Sequence, residues 1–163
     1  MFELKPVSKE AIPAALEKAN RYRLLNEPSA AESICLDILK IEPDNQEALV
    51  TIVLAMSDRF ARDYAVGNSQ IQEYLSRIAD EYEQAYYTGI IYERRAKAVL
   101  CSGSPGSSSN AYEYFLQAMN WFEKAEAIRP PKNDDAVLRW NGCARIIIHN
   151  KLARREMEHD FLE

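Results

Sequence analysis

Residues 19–43 read ANRYRLLNEPSAAESICLDILKIEP, and the spacing inside that stretch decides the fold. Ala19, Tyr22, Ala31, Cys35 and Pro43 stand at separations of 3, 9, 4 and 8. Upstream of the break at Asn26-Glu27-Pro28-Ser29, Leu16, Ala19 and Tyr22 share one helical face. Downstream, Ala31, Ile34, Ile38 and Ile41 step by three and four, which puts Glu32, Asp37 and Lys40 elsewhere. The segment therefore encodes two short helices joined by a tight turn. Ala19 and Ala31 let the two helices approach closely, Tyr22 fills the space beside them, and Pro43 stops the second before another begins. Such a pair cannot bury both of its faces alone, so it must stack on a similar neighbour.

Working outward, the same spacings return. Gly89 and Tyr92 are 3 apart, and Ala118, Phe122 and Pro130 follow one another at 4 and 8, with Ala125 a further small position. The set resembles the Gly, Tyr, Ala, Phe and Pro signature of the tetratricopeptide repeat, whose period is about 34 residues. Pro43 to Pro130 is 87 residues, 19 more than two such periods. Tyr92 to Ala118 is 26 where the signature has 9, so 17 of the surplus residues fall in one place. The resemblance implies an all-α, right-handed superhelix of antiparallel helix pairs. Its parts are a first repeat over 12–45, a degenerate second over 46–81, a third over 82–130 with an inserted loop at 101–110, and a capping helix over 133–162.

The remaining sequence fits a helical chain. Gly and Pro are few (5 and 7), Ala, Leu, Glu, Arg and Tyr are plentiful, and no alternating β-branched run occurs. The first helix is expected from about Ser8 to Leu25, the second from Ser29 to before Pro43, and the third after Asp44 with Ala48, Ile52 and Met56 on one face. Further punctuation falls near Val66-Gly67-Asn68-Ser69. The stretch Ser69–Leu100 needs a break near Asp80–Glu83, with the weak second helix of repeat two around Ile71–Ala79. Gly, Pro and Ser make 101–110 a loop, after which helices resume at Ala111 and at Asn133.

With 47% apolar residues in 163, the chain can hold one core without metals or crosslinks. A formal charge of −5 with no basic run longer than two residues argues against nucleic acid as a partner. The longest apolar run, Ala48–Met56, is far short of a membrane span of about 20 residues, so no membrane insertion is expected. Cys35, Cys101 and Cys143 match no zinc or redox spacing and are read as reduced thiols of a cytoplasmic protein.

By the resemblance, the first helices line the concave side. Positions facing away from their own partner are Leu16, Asn20 and Arg23 in repeat one, and Glu47, Val50, Thr51 and Leu54 in repeat two. In repeat three they are Tyr86, Tyr87, Ile90 and Arg94, and in the cap Leu138, Asn141 and Arg145. The candidate partner-binding groove is thus Asn20, Thr51, Tyr86, Tyr87, Ile90, Arg94, Asn141 and Arg145. Tyr and Arg supply area and directed hydrogen bonds at modest entropy cost, although Tyr82, Tyr86, Tyr87 and Tyr92 also suit ordinary packing between helices.

Some relatives of this repeat grip a chaperone's C-terminal carboxylate with Lys, Asn and Arg. The matching positions here hold Leu16 or Pro13, Asn20, Thr51, Glu83 and Tyr87; only Asn20 agrees, and Glu83 would repel a carboxylate. For an enzyme, the chain offers no Gly-rich phosphate loop, no Gly-x-Ser-x-Gly and no His-Glu-x-x-His. Its histidines, His149 and His159, are ten residues apart and share no helix face. Glu156 and His159 have a chelating i, i+3 spacing but no second such pair. No catalytic residue, metal or cofactor is expected. The resemblance implies a noncatalytic adaptor that binds a protein segment or helix and can form a homodimer. The alternatives are a secretion or export chaperone of the same fold, and a regulatory subunit or small-molecule sensor using a pocket beneath Tyr86 and Trp140.

Overall fold

A computed structural model describes residues 1–62 and 67–155 of the chain. All regular structure in these residues is helical. A single 3-10 turn, Lys9–Ala11, leads into α1 (Ile12–Leu24). There follow α2 (Pro28–Ile41), α3 (Gln46–Asp58), α4 (Asn68–Ser76), α5 (Glu81–Ser102), α6 (Ser107–Ala127) and α7 (Asp135–Asn150).

Local chemistry sets most of these boundaries. Pro28 occupies the first turn of α2, where its missing N–H costs nothing. Asn45 accepts from the Ala48 amide at 2.9 Å and Asp80 from the Glu83 amide at 2.8 Å, so side-chain caps open α3 and α5. Asn26 ends α1 in the left-handed region (φ 61), where its own amide bonds Arg23 O and that of Glu27 bonds Tyr22 O. Lys151 does the same for α7, with Lys151 N bonded to Ile148 O and Leu152 N to Ile147 O. Both ends satisfy carbonyls that a frayed terminus would leave to water.

Three expected boundaries move. The loop expected over 101–110 contracts to Gly103–Gly106, because both glycines adopt left-handed φ (62 and 78) and reverse the chain in four residues. The helix expected over 133–162 ends at Asn150, since Leu152 turns back and is buried in the core. The helix expected around Ile71–Ala79 occupies Asn68–Ser76. Val66 of the expected break, and residues 156–162 of the expected capping helix, lie outside the described residues.

Each helix packs on the next in sequence, and α1 also touches α3, α3 touches α5, and α5 touches α7. The core has two parts. One joins Leu16, Ala19, Ala31, Cys35, Ile52 and Leu75 from α1–α4; the other joins Ile90, Ala96, Phe115, Phe122 and Cys143 from α5–α7. Tyr87 packs against both. Phe115 and Phe122 are completely buried, each contributing about 1.5–3 kcal/mol. Gly89 makes room for one of them: a Cβ there would lie 2.6 Å from Phe122 Cε1. α5 and α6, at 22 and 21 residues, exceed α1 and α2 at 13 and 14, and their far turns zip through Ala96, Ala111 and Tyr92–Tyr114.

Candidate functional site

The face shared by α1, α3, α5 and α7 carries a chain of polar contacts. At its α1 end Asn20 is bonded twice across to α3, donating to Glu47 Oε1 at 3.3 Å and accepting from Thr51 Oγ1 at 3.3 Å. One turn further, Arg23 of α1 donates to both oxygens of Asp58 on α3, at 2.9 and 3.4 Å. Arg94 of α5 reaches the same carboxylate. Its Nη1 lies 2.7 Å from Asp58 Oδ1, 2.7 Å from Ser57 Oγ and 2.9 Å from Leu54 O. Asp58 sits in the last turn of α3, where the helix dipole disfavours a carboxylate; the two guanidiniums outweigh that effect. Burial lowers the Arg94 pKa, with the Asp58 charge opposing the shift.

Toward α7 the pattern repeats, with a second carboxylate between two cations. Glu93 Oε1 accepts from Lys97 Nζ at 2.6 Å and from Arg139 Nη1 at 3.5 Å, while its Oε2 is buried without a hydrogen-bond partner. Burial acts against the charge on Arg139, but hydrogen bonds to the Tyr86 oxygen and to Glu93 carry its pKa above the usual value. Between these groups lies a cavity of about 390 Å³. Arg94, Lys97 and Arg139 supply its cations, and Phe60, Ala98 and Cys101 its apolar wall.

The residues singled out in the sequence are distributed unevenly over this face. Asn20 and Thr51 are brought together, but Thr51 is only 3% exposed and acts as the support of Asn20. Ile90, also 3% exposed, belongs to the core and lines no groove. Tyr86 stacks on Tyr82 at 5.8 Å, meets Tyr87 edge-on at 5.2 Å and tilts against Phe122 at 6.0 Å. The packing role of the Tyr-rich stretch is therefore present, and both Tyr86 and Tyr87 keep half-exposed edges. Burial raises the Tyr87 pKa, so its hydroxyl stays protonated. Asn141 is half-buried and Arg145 exposed on α7, away from the Asp58 cluster in sequence.

No family model, curated protein or solved structure matches the chain.

Asp58, Glu93, Lys97 and Arg139 are absent from the sequence-derived set. The i, i+4 spacing of Glu93 and Lys97 was the one signal for their pairing; nothing local indicates that Glu93 is buried or that Asp58 serves two arginines. Among the described residues, no group of three His, Cys, Asp or Glu side chains is placed to hold a metal ion. The Glu156 and His159 pair lies outside them. Burial pushes the Cys35 and Cys143 thiols up to about 12, which leaves neither a thiolate nucleophile at neutral pH. No described helix is long and apolar enough to cross a membrane. The face as a whole offers fixed cations, half-exposed tyrosines and a shallow apolar floor.

Proposed function

We propose that the chain is a noncatalytic interaction module of the tetratricopeptide type, which holds an extended segment or helix of another protein against the α1–α3–α5–α7 face. One observation carries the reading: the alternate helices α1, α3, α5 and α7 touch in succession, so that they form one continuous layer with the other helices packed between and behind them. A right-handed superhelix of helix pairs needs this neighbour pattern. The packing of the signature residues supports the reading. Gly89 admits the Phe122 ring, Ala19, Ala31 and Ala118 are fully buried small contacts, and Cys35 takes the buried aromatic position of the first repeat.

The groove chemistry narrows the partner. Lys97 and Arg139, about half-exposed at the cavity, attract an acidic side chain, and Phe60 and Ala98 accept an apolar neighbour. An amphipathic segment with mixed acidic and apolar residues fits this surface. A photo-crosslinking residue at Lys97 is expected to capture a protein partner, whereas one at Gln117 on α6 is not; capture from both positions alike would remove the groove from the reading.

The cavity favours a second reading, a sensor of a small anionic metabolite. Such a ligand would raise the melting temperature of the purified protein, and Arg139→Ala would abolish the rise.

A further inference from the structure

Residues 1–6 present strongly exposed apolar side chains: Phe2 is fully exposed and Leu4 is 77% exposed. Immediately after them begins a largely apolar cavity. It measures about 280 Å³ and is walled by Val7, Ala11, Ala14 and Ala15 on one side and by Ile34 and Ile38 of α2 on the other. Lys18 and Asp37 complete its lining. A cavity of about 150 Å³ already accommodates a benzene-sized group, so this one has room for a phenyl ring together with part of a leucine.

The segment matches the cavity in three respects. In an extended chain Phe2 and Leu4 fall on one side and Glu3 and Lys5 on the other. The apolar pair suits the Ala and Ile walls. The two charges, one of each sign, then face outward, toward the rim where Lys18 is exposed and Asp37 half-buried.

The segment cannot easily reach the cavity of its own molecule. Val7 is at once the root of the segment and a wall of the cavity, so Phe2 could enter only through a chain reversal between Glu3 and Pro6. Pro6 fixes its own φ and holds Lys5 in extended conformations, and Ser8 is extended as well (φ −79, ψ 146). The chain leaves the cavity instead of turning back into it. We infer that Phe2 and Leu4 of one copy occupy the Val7–Ala15–Ile38 cavity of a second copy, giving a two-fold dimer that exchanges its N-terminal segments. The arrangement is isologous, each copy both giving and receiving a segment, and it leaves the α1–α3–α5–α7 face open.

Sedimentation equilibrium of the full chain tests this. The wild type is expected to dimerise. Phe2→Asp/Leu4→Asp changes only strongly exposed side chains outside every helix, so it keeps full helicity and weakens the dimer by more than about a hundredfold. Ala14→Glu, at an exposed position on the cavity wall, is expected to do the same. Mixed together, the segment variant and the cavity variant restore one intact exchange and yield a heterodimer. A wild type that stays monomeric throughout overturns the inference, including the case in which the segment variant lowers the melting temperature of that monomer. So do a segment variant that dimerises like the wild type and a mixture that forms no heterodimer.

Discussion

Asp58 Oδ1 accepts from Arg94 Nη1 at 2.7 Å while Arg23 Nε holds Oδ2 of the same carboxylate at 2.9 Å, so one side chain of α3 ties α1 to α5. Removing it leaves two cations facing each other with three-quarters of each side chain covered. Asp58→Ala is expected to destabilise the fold by about 2 kcal/mol, near the middle of the range for hydrogen bonds to charged groups. Because all three groups are partly exposed, the loss falls short of that for a fully buried pair. Urea denaturation of the two proteins measures it, and Asp58→Asn, which keeps one acceptor oxygen, should lie between them.

Gly89 and Phe122 give a prediction about packing. A methyl group at 89 would press on a ring that is completely buried and has nowhere to retreat. Gly89→Ala gains helix propensity of about 1 kcal/mol, yet overpacking costs about 1–3 kcal/mol. Net destabilisation is expected. Phe122→Leu in the Gly89→Ala background should recover part of it, although Phe122→Leu alone is destabilising; calorimetric melting of the four proteins closes the cycle.

The cysteines separate by reactivity and by linkage. Cys35 and Cys143, pushed up to about 12 by burial, should resist a thiol reagent in the native state, while exposed Cys101 reacts at once. One equivalent of thiol titrates in buffer and three in denaturant. Unfolded thiols ionise near 9, whereas the folded ones hold their protons to about 12, so the unfolded state loses protons first. Stability from these two groups is complete below pH 9 and declines as the pH rises from 9 toward 12. Cys35→Ala/Cys143→Ala should flatten that part of the stability curve.

How much of this was legible in the sequence depends on the range of the interaction involved. Pro43, Pro28 and Asp80 act on neighbouring backbone, and the boundaries near them follow from residue type alone. The contraction of the 101–110 loop turns on Gly103 and Gly106 both adopting left-handed φ, which composition permits without specifying. Leu152 ends α7 early because a core position lies within reach behind it, a tertiary fact invisible in a charged stretch. The same limit explains the site. Arg94 stood out by type and by face, but its partner Asp58 is 36 residues away and is met only when α3 and α5 pack in one particular register. Ile90 shares that face with Arg94, yet lies where α5 is covered, so its side chain joins the core. Glu93 reads as a surface residue paired with Lys97, yet its side chain is buried and also meets Arg139 of α7.

The claim that the α1–α3–α5–α7 face receives a protein segment is tested most directly by blocking that face chemically. Cys101 borders the 390 Å³ cavity and is the one exposed thiol among the three cysteines, so a bulky maleimide attaches there alone in the native protein. The measurement is the crosslinking yield to a partner protein from a photoreactive residue at Lys97, with and without the maleimide at Cys101. The account predicts a discrete partner adduct that falls at least about tenfold on labelling, a loss of about 1.4 kcal/mol in binding, with helicity unchanged. An adduct of undiminished yield after labelling, or none from Lys97 while Gln117 on α6 captures one, would contradict it.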